Sequence, residues 1–554
     1  MIAMDKWQVA RVLDEIASYV ELSETNRFKS TAYERAAKAV SSLDRDIEKL
    51  VASGEILDVA GIGKATGAVI EELLSTGKSR YLEELRAQYP PGIFDLLRVP
   101  KLGLRKVGIL YSQLGIGSLD ELEAACRDGR VAKLKGFGEK TQEKILQGIA
   151  YARKRQSHFL LPYGIDAGEQ MRERLAQVDE VENAEITGAV RRRLEVVDNV
   201  ELVVATSKPD RVKKLLAGFV DQFDPETGRG VAHGDMEVIF HVVKPEDFAQ
   251  TLFTTTGSEE FVAAFPAASD RRPATEEEIF KSAKVPYIAP ERRETAEDIS
   301  LKKKRQLVKY DDLRGTFHVH TTYSDGRNTV HEMLGAAKER GFEYVGISDH
   351  SKTAFYAGGL TEEQLVEQQS EIAREAKSVK PMRVFRGTEA DILGDGSIDY
   401  GPQTLKKFDF VIASVHSRFA MPKDEMTQRI VRALQDPHVT FLGHLTGRLL
   451  LSRDGYTMEF DRVFEEAGKR GVMIEINGNP NRLDIDWRLI KRALDRGVIF
   501  SIHPDAHSIR EYNAMMTGTW VARKAGLSTK EIFNTLPAEE VAEYLKKRKG
   551  AAGG

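Results

Sequence analysis

The chain has 554 residues, 41% of them hydrophobic and 30% charged, a formal net charge of −4 and one cysteine, Cys126; this allows roughly three to five domains and excludes a disulfide scaffold. The charge balance excludes a general basic field, so nucleic acid would have to be held by local patches and main-chain amides. No apolar run approaches the roughly 18 residues of a membrane span, and the start MIAMDKWQVARVLDE lacks a signal-peptide core, so a cytoplasmic protein with no membrane partner is expected.

Residues 1–150 read as helices joined by short glycine turns, beginning with an amphipathic stretch at 9–20. Three turns share a pattern: Val59-Ala-Gly-Ile-Gly63-Lys64, Val99-Pro-Lys-Leu-Gly103 and Leu134-Lys-Gly-Phe-Gly138-Glu-Lys140. Each sets a G-x-G, or its remnant, before a second helix whose free N-terminal amides point outward and can bind phosphate. Glycine is also the ordinary helix C-cap, but three such turns in one segment favour phosphate binding. They resemble helix-hairpin-helix motifs, which grip the DNA backbone without reading sequence. The resemblance implies DNA contacts from Gly61, Gly63, Lys64, Gly103, Gly136, Gly138 and Lys140, with the middle grip weakened by Lys101 in place of its first glycine.

A βαβ-like region follows at 156–245, containing Thr187-Gly188-Ala-Val-Arg191-Arg192-Arg-Leu-Glu195, then Val197-Asp198-Asn199-Val200-Glu201-Leu202, then Met236-Glu-Val-Ile-Phe-His-Val-Val243. Beyond it stand Thr256-Gly257-Ser258, Ala274-Thr-Glu-Glu-Glu278 and Tyr287-Ile-Ala-Pro290, and the charged segment 295–314 reads as a connector.

The last 240 residues repeat one design. GTFHVHTTYSDG, FEYVGISDHS, VFRGTEADIL, FDFVIASVHS, VTFLGHLTGR, VMIEINGNPN and VIFSIHPDAH are apolar, strand-like runs, each ending in a residue able to bind a metal, and helical stretches separate them. Strand–helix alternation implies a parallel sheet, and reactive groups at the strand C-terminal ends imply a barrel with its site on that rim. Nine of the twelve histidines lie between His318 and His507. The segment 315–548 resembles a PHP (polymerase and histidinol phosphatase) domain. That likeness implies three divalent metals, Mn²⁺ or Zn²⁺ suiting the imidazoles better than Mg²⁺. His318, His320, Glu389 and Asp505 would hold one metal, Asp325, His350 and His507 a second, and Glu389, His416 and His444 the third. His331, His438 and His503 read as structural, Asp349 as an orienting group or a strand cap, and Arg448 as a catalytic phosphate clamp or a structural ion pair.

In this order the segments resemble the bacterial family X DNA polymerases over essentially the whole chain. The implied fold class is multidomain α and α/β. It comprises helix-hairpin-helix domains at 1–80 and 81–155, a nucleotidyltransferase-like palm at 156–245, a thumb at 246–294, a linker at 295–314 and a distorted (βα)₇ PHP barrel at 315–554. The polymerase site departs from that family. Two-metal nucleotidyl transfer needs carboxylates two apart on one strand face and a third on a neighbouring strand. The register set by Gly188 puts Asn199, Glu201 and Ile239 there, and Ala189 replaces the phosphate-binding serine. Gly188, Arg191, Arg192, Thr256, Gly257 and Ser258 remain as candidate phosphate contacts, with a solvated face as the competing reading. The family's Schiff-base lysine falls at Val69, so lyase chemistry is not expected.

The expected protein is a monomeric, metal-dependent 3′→5′ exonuclease for DNA repair, with abasic-site or 3′-end cleaning as related activities and a polymerase-like core that does not polymerise. A gap-filling polymerase with a proofreading barrel, a non-catalytic DNA-binding scaffold and a small-molecule phosphatase are the rivals.

Overall fold

A computed structural model describes the chain except residues 1–5, 23–26, 42, 44, 46, 91, 100–101, 155–157, 233–234, 267–271, 301–304 and 553–554. It forms two compact units, Met1–Ser157 and His158–Gly554.

The first unit is helical around one apolar core. Its three glycine turns each sink one apolar residue, Ile62, Leu102 or Phe137, and leave the flanking glycines in water. Gly61 and Gly136 take φ values of 101° and 89°, which a side chain would resist. Gly63 and Gly103 then cap the helices Lys64–Thr76 and Leu104–Leu114 with no side chain of their own, Thr66 Oγ1 accepting from the Gly63 amide at 2.9 Å, and Gly138 opens Gly138–Lys154. Lys64 and Lys140 are exposed beside these ends, Val69 is buried, and Lys101 lies outside the described residues.

The second unit begins with the strand pair β1 (Phe159–Leu160) and β3 (Val196–Val197). Beside it lies a five-stranded mixed sheet of β2 (Asn183–Thr187), β4 (Asn199–Ala205), β5 (Asp221–Asp224), β6 (Arg229–Ala232) and β7 (Met236–Val243), ordered β2-β4-β7-β6-β5. The parallel β4–β7 register places Glu201 opposite Ile239 and Asn199 opposite Glu237.

The barrel follows as seven parallel strands in chain order: β8 (Gly315–Thr316), β9 (Tyr344–Ile347), β10 (Arg383–Asp391), β11 (Phe410–Ser414), β12 (Phe441–Leu442), β13 (Met473–Asn477) and β14 (Phe500–His503). A parallel bridge between Val319 and Ala506 brings the two edges together, so the barrel is nearly closed. Every residue of β9, β11, β13 and β14 is buried, as expected of parallel strands covered by helices on one side and filled by side chains on the other. The outer helices start at reciprocal caps, Thr329 with Glu332 and Thr361 with Gln364. Phe317, Phe385, Phe410, Phe441 and Phe533 pack as one aromatic cluster in the barrel. Gly346 and Gly387 make room for it, since a Cβ on either would stand 2.6 Å or less from the Phe410 ring. The segment 295–314 is more than an exposed connector: Val308 and Leu313 are buried in the barrel core, and the Val308 amide donates to the Leu527 carbonyl at 2.9 Å.

Candidate metal centre

The strand ends converge as their sequence pattern suggests. His318 and His320 follow β8, with Asp325 in the turn beyond; His350 follows β9, Glu389 lies near the end of β10, His416 follows β11, His444 follows β12, and Asp505 and His507 follow β14. His318 Nε2 stands 3.3 Å from both Glu389 Oε1 and Asp505 Oδ1, and His320 Nε2 stands 3.4 Å from Asp505 Oδ1. Asp325 Oδ1 lies 3.6 Å from His350 Nε2 and 3.3 Å from His507 Nε2. Glu389 Oε1 lies 3.2 Å from His416 Nε2 and 3.0 Å from His444 Nε2, while its Oε2 is 3.0 Å from His350 Nδ1.

These separations fit shared ions. Ligand atoms each about 2.1 Å from one cation stand about 3.0–3.4 Å apart in octahedral or tetrahedral arrangement. His318 Nε2, both ring nitrogens of His320, His350 Nδ1 and His444 Nδ1 are buried and make no hydrogen bond, a costly state for polar atoms without a ligand. His318, His444 and Asp505 also hold positive φ angles of 59°, 21° and 53°, strain that clusters at sites where the backbone must aim a side chain. Among the described residues, every group of three or more His, Cys, Asp or Glu with ligand atoms within 4.8 Å of one another lies in this barrel.

A supporting layer fixes the imidazoles. Glu475 Oε1 takes the Nδ1 side of His318 and lies 3.1 Å from His503 Nδ1, while its Oε2 accepts from the His444 amide at 2.6 Å. Asp391 holds His416 Nδ1 at 2.6 Å. These bonds leave the opposite ring nitrogen of His318 and His416 facing the centre. Asp349 organises the loop that carries Asp325, accepting from the Thr321 amide and hydroxyl, Ser324 Oγ and Gln368 Nε2 at 2.6–2.7 Å.

Burial works against charging His416 and His507, but carboxylates overcome it. Glu389 and Asp391 raise His416 to about 10, and Asp325 and Asp505 raise His507 to about 9. Burial, then His507 and His350, lowers His320 to about 4. A raised folded value means that the protonated form stabilises the metal-free fold below about pH 6.5, and that this contribution is lost as pH rises through 9 to 10. A metal held through these two imidazoles would have to displace those protons, so loading at pH 7 is expected to release the protons of His416 and His507. Calorimetric Mn²⁺ titrations in two buffers of different ionisation enthalpy measure this number. An enthalpy independent of buffer contradicts it.

Several candidate phosphate contacts are bonded within the protein, Arg448 through the ion pair that was its alternative reading. Arg448 does not face the centre: its Nε and Nη2 donate to the carbonyls of Arg482 and Leu483, and its Nη1 lies 2.8 Å from Asp486. The cation beside the metal-facing carboxylates is Arg482, 3.6 Å from Asp505. Arg191 and Arg192 are likewise taken up inside the protein. Arg191 pairs with Glu276 at 2.6 Å and with Thr256 Oγ1 at 2.6 Å; Arg192 pairs with Glu294 at 2.9 Å and donates to the Thr256 carbonyl. Thr256 is buried, Gly257 ends its helix in extended geometry, and Ser258 caps the helix Glu259–Ala264 while donating to the Glu294 carbonyl. These bonds tie the sheet to the helices Phe248–Thr256 and Glu276–Ser282.

In the mixed sheet, Glu201 Oε2 lies 2.8 Å from His241 Nε2, Glu237 pairs with Arg229 at 2.6 Å, and Asp198 pairs with His158. The Glu201 carboxylate packs directly against Gly188, where a Cβ would meet Oε1 at 2.5 Å. Ile239 is buried and Asn199 offers only an amide.

Three family models match the chain: a helix-hairpin-helix domain at residues 4–79, a SAM-like helix-hairpin-helix tandem at 93–150 and a PHP domain at 316–479. The chain is 33% identical to the DNA polymerase/3′-5′ exonuclease PolX of Bacillus subtilis (strain 168), over 98% of its own length and all of that relative. Its barrel is 26% identical to a "Probable phosphatase" of Thermoanaerobacter sp. (strain X514), over 43% of this chain and 96% of the relative. A "Probable phosphatase" of Photobacterium profundum is 32% identical over 29% of this chain and 63% of that protein.

Proposed function

The chain belongs to the family of the DNA polymerase/3′-5′ exonuclease PolX, and from that membership we propose that it is a DNA-repair nuclease whose barrel removes nucleotides from 3′ ends while its polymerase-like sheet is silent. The observation that carries this reading is the contrast between its two centres. The barrel gathers nine His, Asp and Glu residues, with orphaned buried nitrogens among them, whereas the sheet offers an amide, an isoleucine and carboxylates already paired with His241 and Arg229.

Three divalent ions, Mn²⁺ or Zn²⁺ before Mg²⁺, would supply Lewis acidity and an activated water at neutral pH. His318, His320, Glu389 and Asp505 would hold the first, Asp325, His350 and His507 the second, and Glu389, His416 and His444 the third. Arg482, beside Asp505, receives a phosphate oxygen, a choice supported by the engagement of the Arg448 donors with Arg482, Leu483 and Asp486. The water oxygen bonds to phosphorus, the P–O3′ bond breaks, and the departing 3′-oxygen takes up a proton, releasing a nucleoside 5′-monophosphate. The helix-hairpin-helix turns at Gly61, Gly63, Lys64, Gly103, Gly136, Gly138 and Lys140 grip the DNA backbone without sequence preference.

A single-stranded oligonucleotide labelled at either end tests this. With Mn²⁺, a 5′ label yields a ladder of shortening products and a 3′ label yields labelled mononucleotide at once, both abolished by chelator. Release of 5′-terminal nucleotides first, or no DNA hydrolysis by protein that still cleaves p-nitrophenyl phosphate, overturns it.

A further inference from the structure

Beside the metal centre, the turn that follows His350 carries two aromatic side chains that the fold does not use. Phe355 is 86% and Tyr356 70% exposed. The turn beneath them is held in place. Ala354 and Ala357 are buried, the amides of Ala354 and Gly359 donate to the carbonyls of Ser351 and Ala354, and Thr353 bonds Asp399 through both amide and hydroxyl. Leu360 returns to the barrel by donating its amide to the His350 carbonyl at 2.9 Å. Gly359 passes so close to Ser351 that a Cβ would stand 1.9 Å from its carbonyl oxygen, which pins the path of the loop. Adjacent large aromatics kept in water on a fixed turn mark a binding surface.

Their position says what they bind. The Tyr356 ring lies 6.3 Å from the His350 ring and 6.2 Å from the His416 ring, edge-on to both. Burial, then the Glu389, Asp391 and Asp325 carboxylates, push the Tyr356 hydroxyl up, and Arg482 acts on it in the opposite sense; Arg453 also lies within electrostatic reach of the ring's hydroxyl. A surface with aromatic faces, neighbouring cations and a phosphoester-cleaving centre within one nucleotide's reach suits a nucleobase whose own phosphate lies at the metals.

We propose that Phe355 and Tyr356 form a stacking platform for the base of the 3′-terminal nucleotide, positioning the scissile phosphate over the centre and favouring DNA ends over small phosphomonoesters. The proposal rests on the nuclease reading and deepens it by assigning the residues that select the substrate.

Two 5′-labelled oligonucleotides that differ only at the 3′ end, one carrying a normal terminal nucleotide and one a tetrahydrofuran abasic residue, test it in the full chain with Mn²⁺. Wild type removes the base-bearing terminus with a KM about 5- to 150-fold lower, the range expected of one stacked base. The Phe355→Ala/Tyr356→Ala variant brings that ratio close to one, whereas Tyr356→Phe, which keeps the ring and loses the hydroxyl, preserves it. A ratio near one in wild type, or an unchanged ratio in the double alanine variant, overturns the platform while leaving the nuclease intact. If wild type shortens neither oligonucleotide yet hydrolyses p-nitrophenyl phosphate, the nuclease reading fails and the platform falls with it.

Discussion

Replacing Glu389 by Gln lowers kcat/KM for oligonucleotide shortening by at least about 10³-fold, because one carboxylate serves several ligand groups. Its two oxygens stand within 3.0–3.6 Å of ring nitrogens from His318, His320, His350, His416 and His444. Loss of a supporting partner alone typically costs about 10–100-fold in metal affinity or activity, and Glu389 touches the ligands of all three expected ions. Burial would raise its carboxyl, yet the His318, His416 and His350 imidazoles hold it well below the usual range, so it is a carboxylate at every pH of interest. Glutamine keeps the shape and removes the charge, so the barrel stays folded. Metal analysis of the purified variant should show fewer than three ions per chain, and a loss under about 10-fold contradicts the shared-ligand arrangement.

Replacing Glu276 by Ala destabilises the second unit by about 3–5 kcal/mol, the cost of stranding a buried charge. Glu276 is 7% exposed and pairs with Arg293, which is fully buried, and with Arg191. Phe253, Phe280 and Tyr287 surround the Arg293 guanidinium with centroids 5.0–5.7 Å away, and cation–π attraction of that size does not replace a carboxylate. The first denaturant transition of full-length protein measures the effect. A change below about 1 kcal/mol would mean that Arg191 and Arg293 are held by something else, and would reopen Arg191 as a phosphate ligand.

The barrel was readable because each apolar run announces a strand and its polar terminus announces the rim, whereas the set of nine candidate ligands came from the resemblance to PHP domains, and the structure clusters those residues at the strand ends. His318 and His320, two apart, had to share a face, and the parallel order put every other strand end beside them. Asn199, Glu201 and Ile239 were placed by the resemblance of the Gly188 and arginine stretch to the family X pattern, and the parallel β4–β7 pairing sets Glu201 opposite Ile239. The arginines were not. A sequence shows that Arg191 or Arg448 carries a charge, but not that Glu276, 85 residues on, or Asp486, 38 residues on, claims it. Arg482 was hidden in the polar loop after β13, and its nearness to Asp505 depends on how the neighbouring strand ends. Phe355 and Tyr356 did leave a signal: an aromatic pair beside Gly358 and Gly359, directly after a ligand-bearing strand, has no place in a core.

The most direct test of a chain that degrades but does not synthesise uses a 5′-labelled primer on a gapped template with Mn²⁺, with and without all four dNTPs, for wild type and His318→Ala. The account predicts shortening by wild type in both conditions, an unchanged primer with His318→Ala, and no extension by either protein. Primer extension by His318→Ala, where no degradation can mask it, would contradict the account by showing that the sheet holds catalytic metals despite Asn199, Glu201 and Ile239.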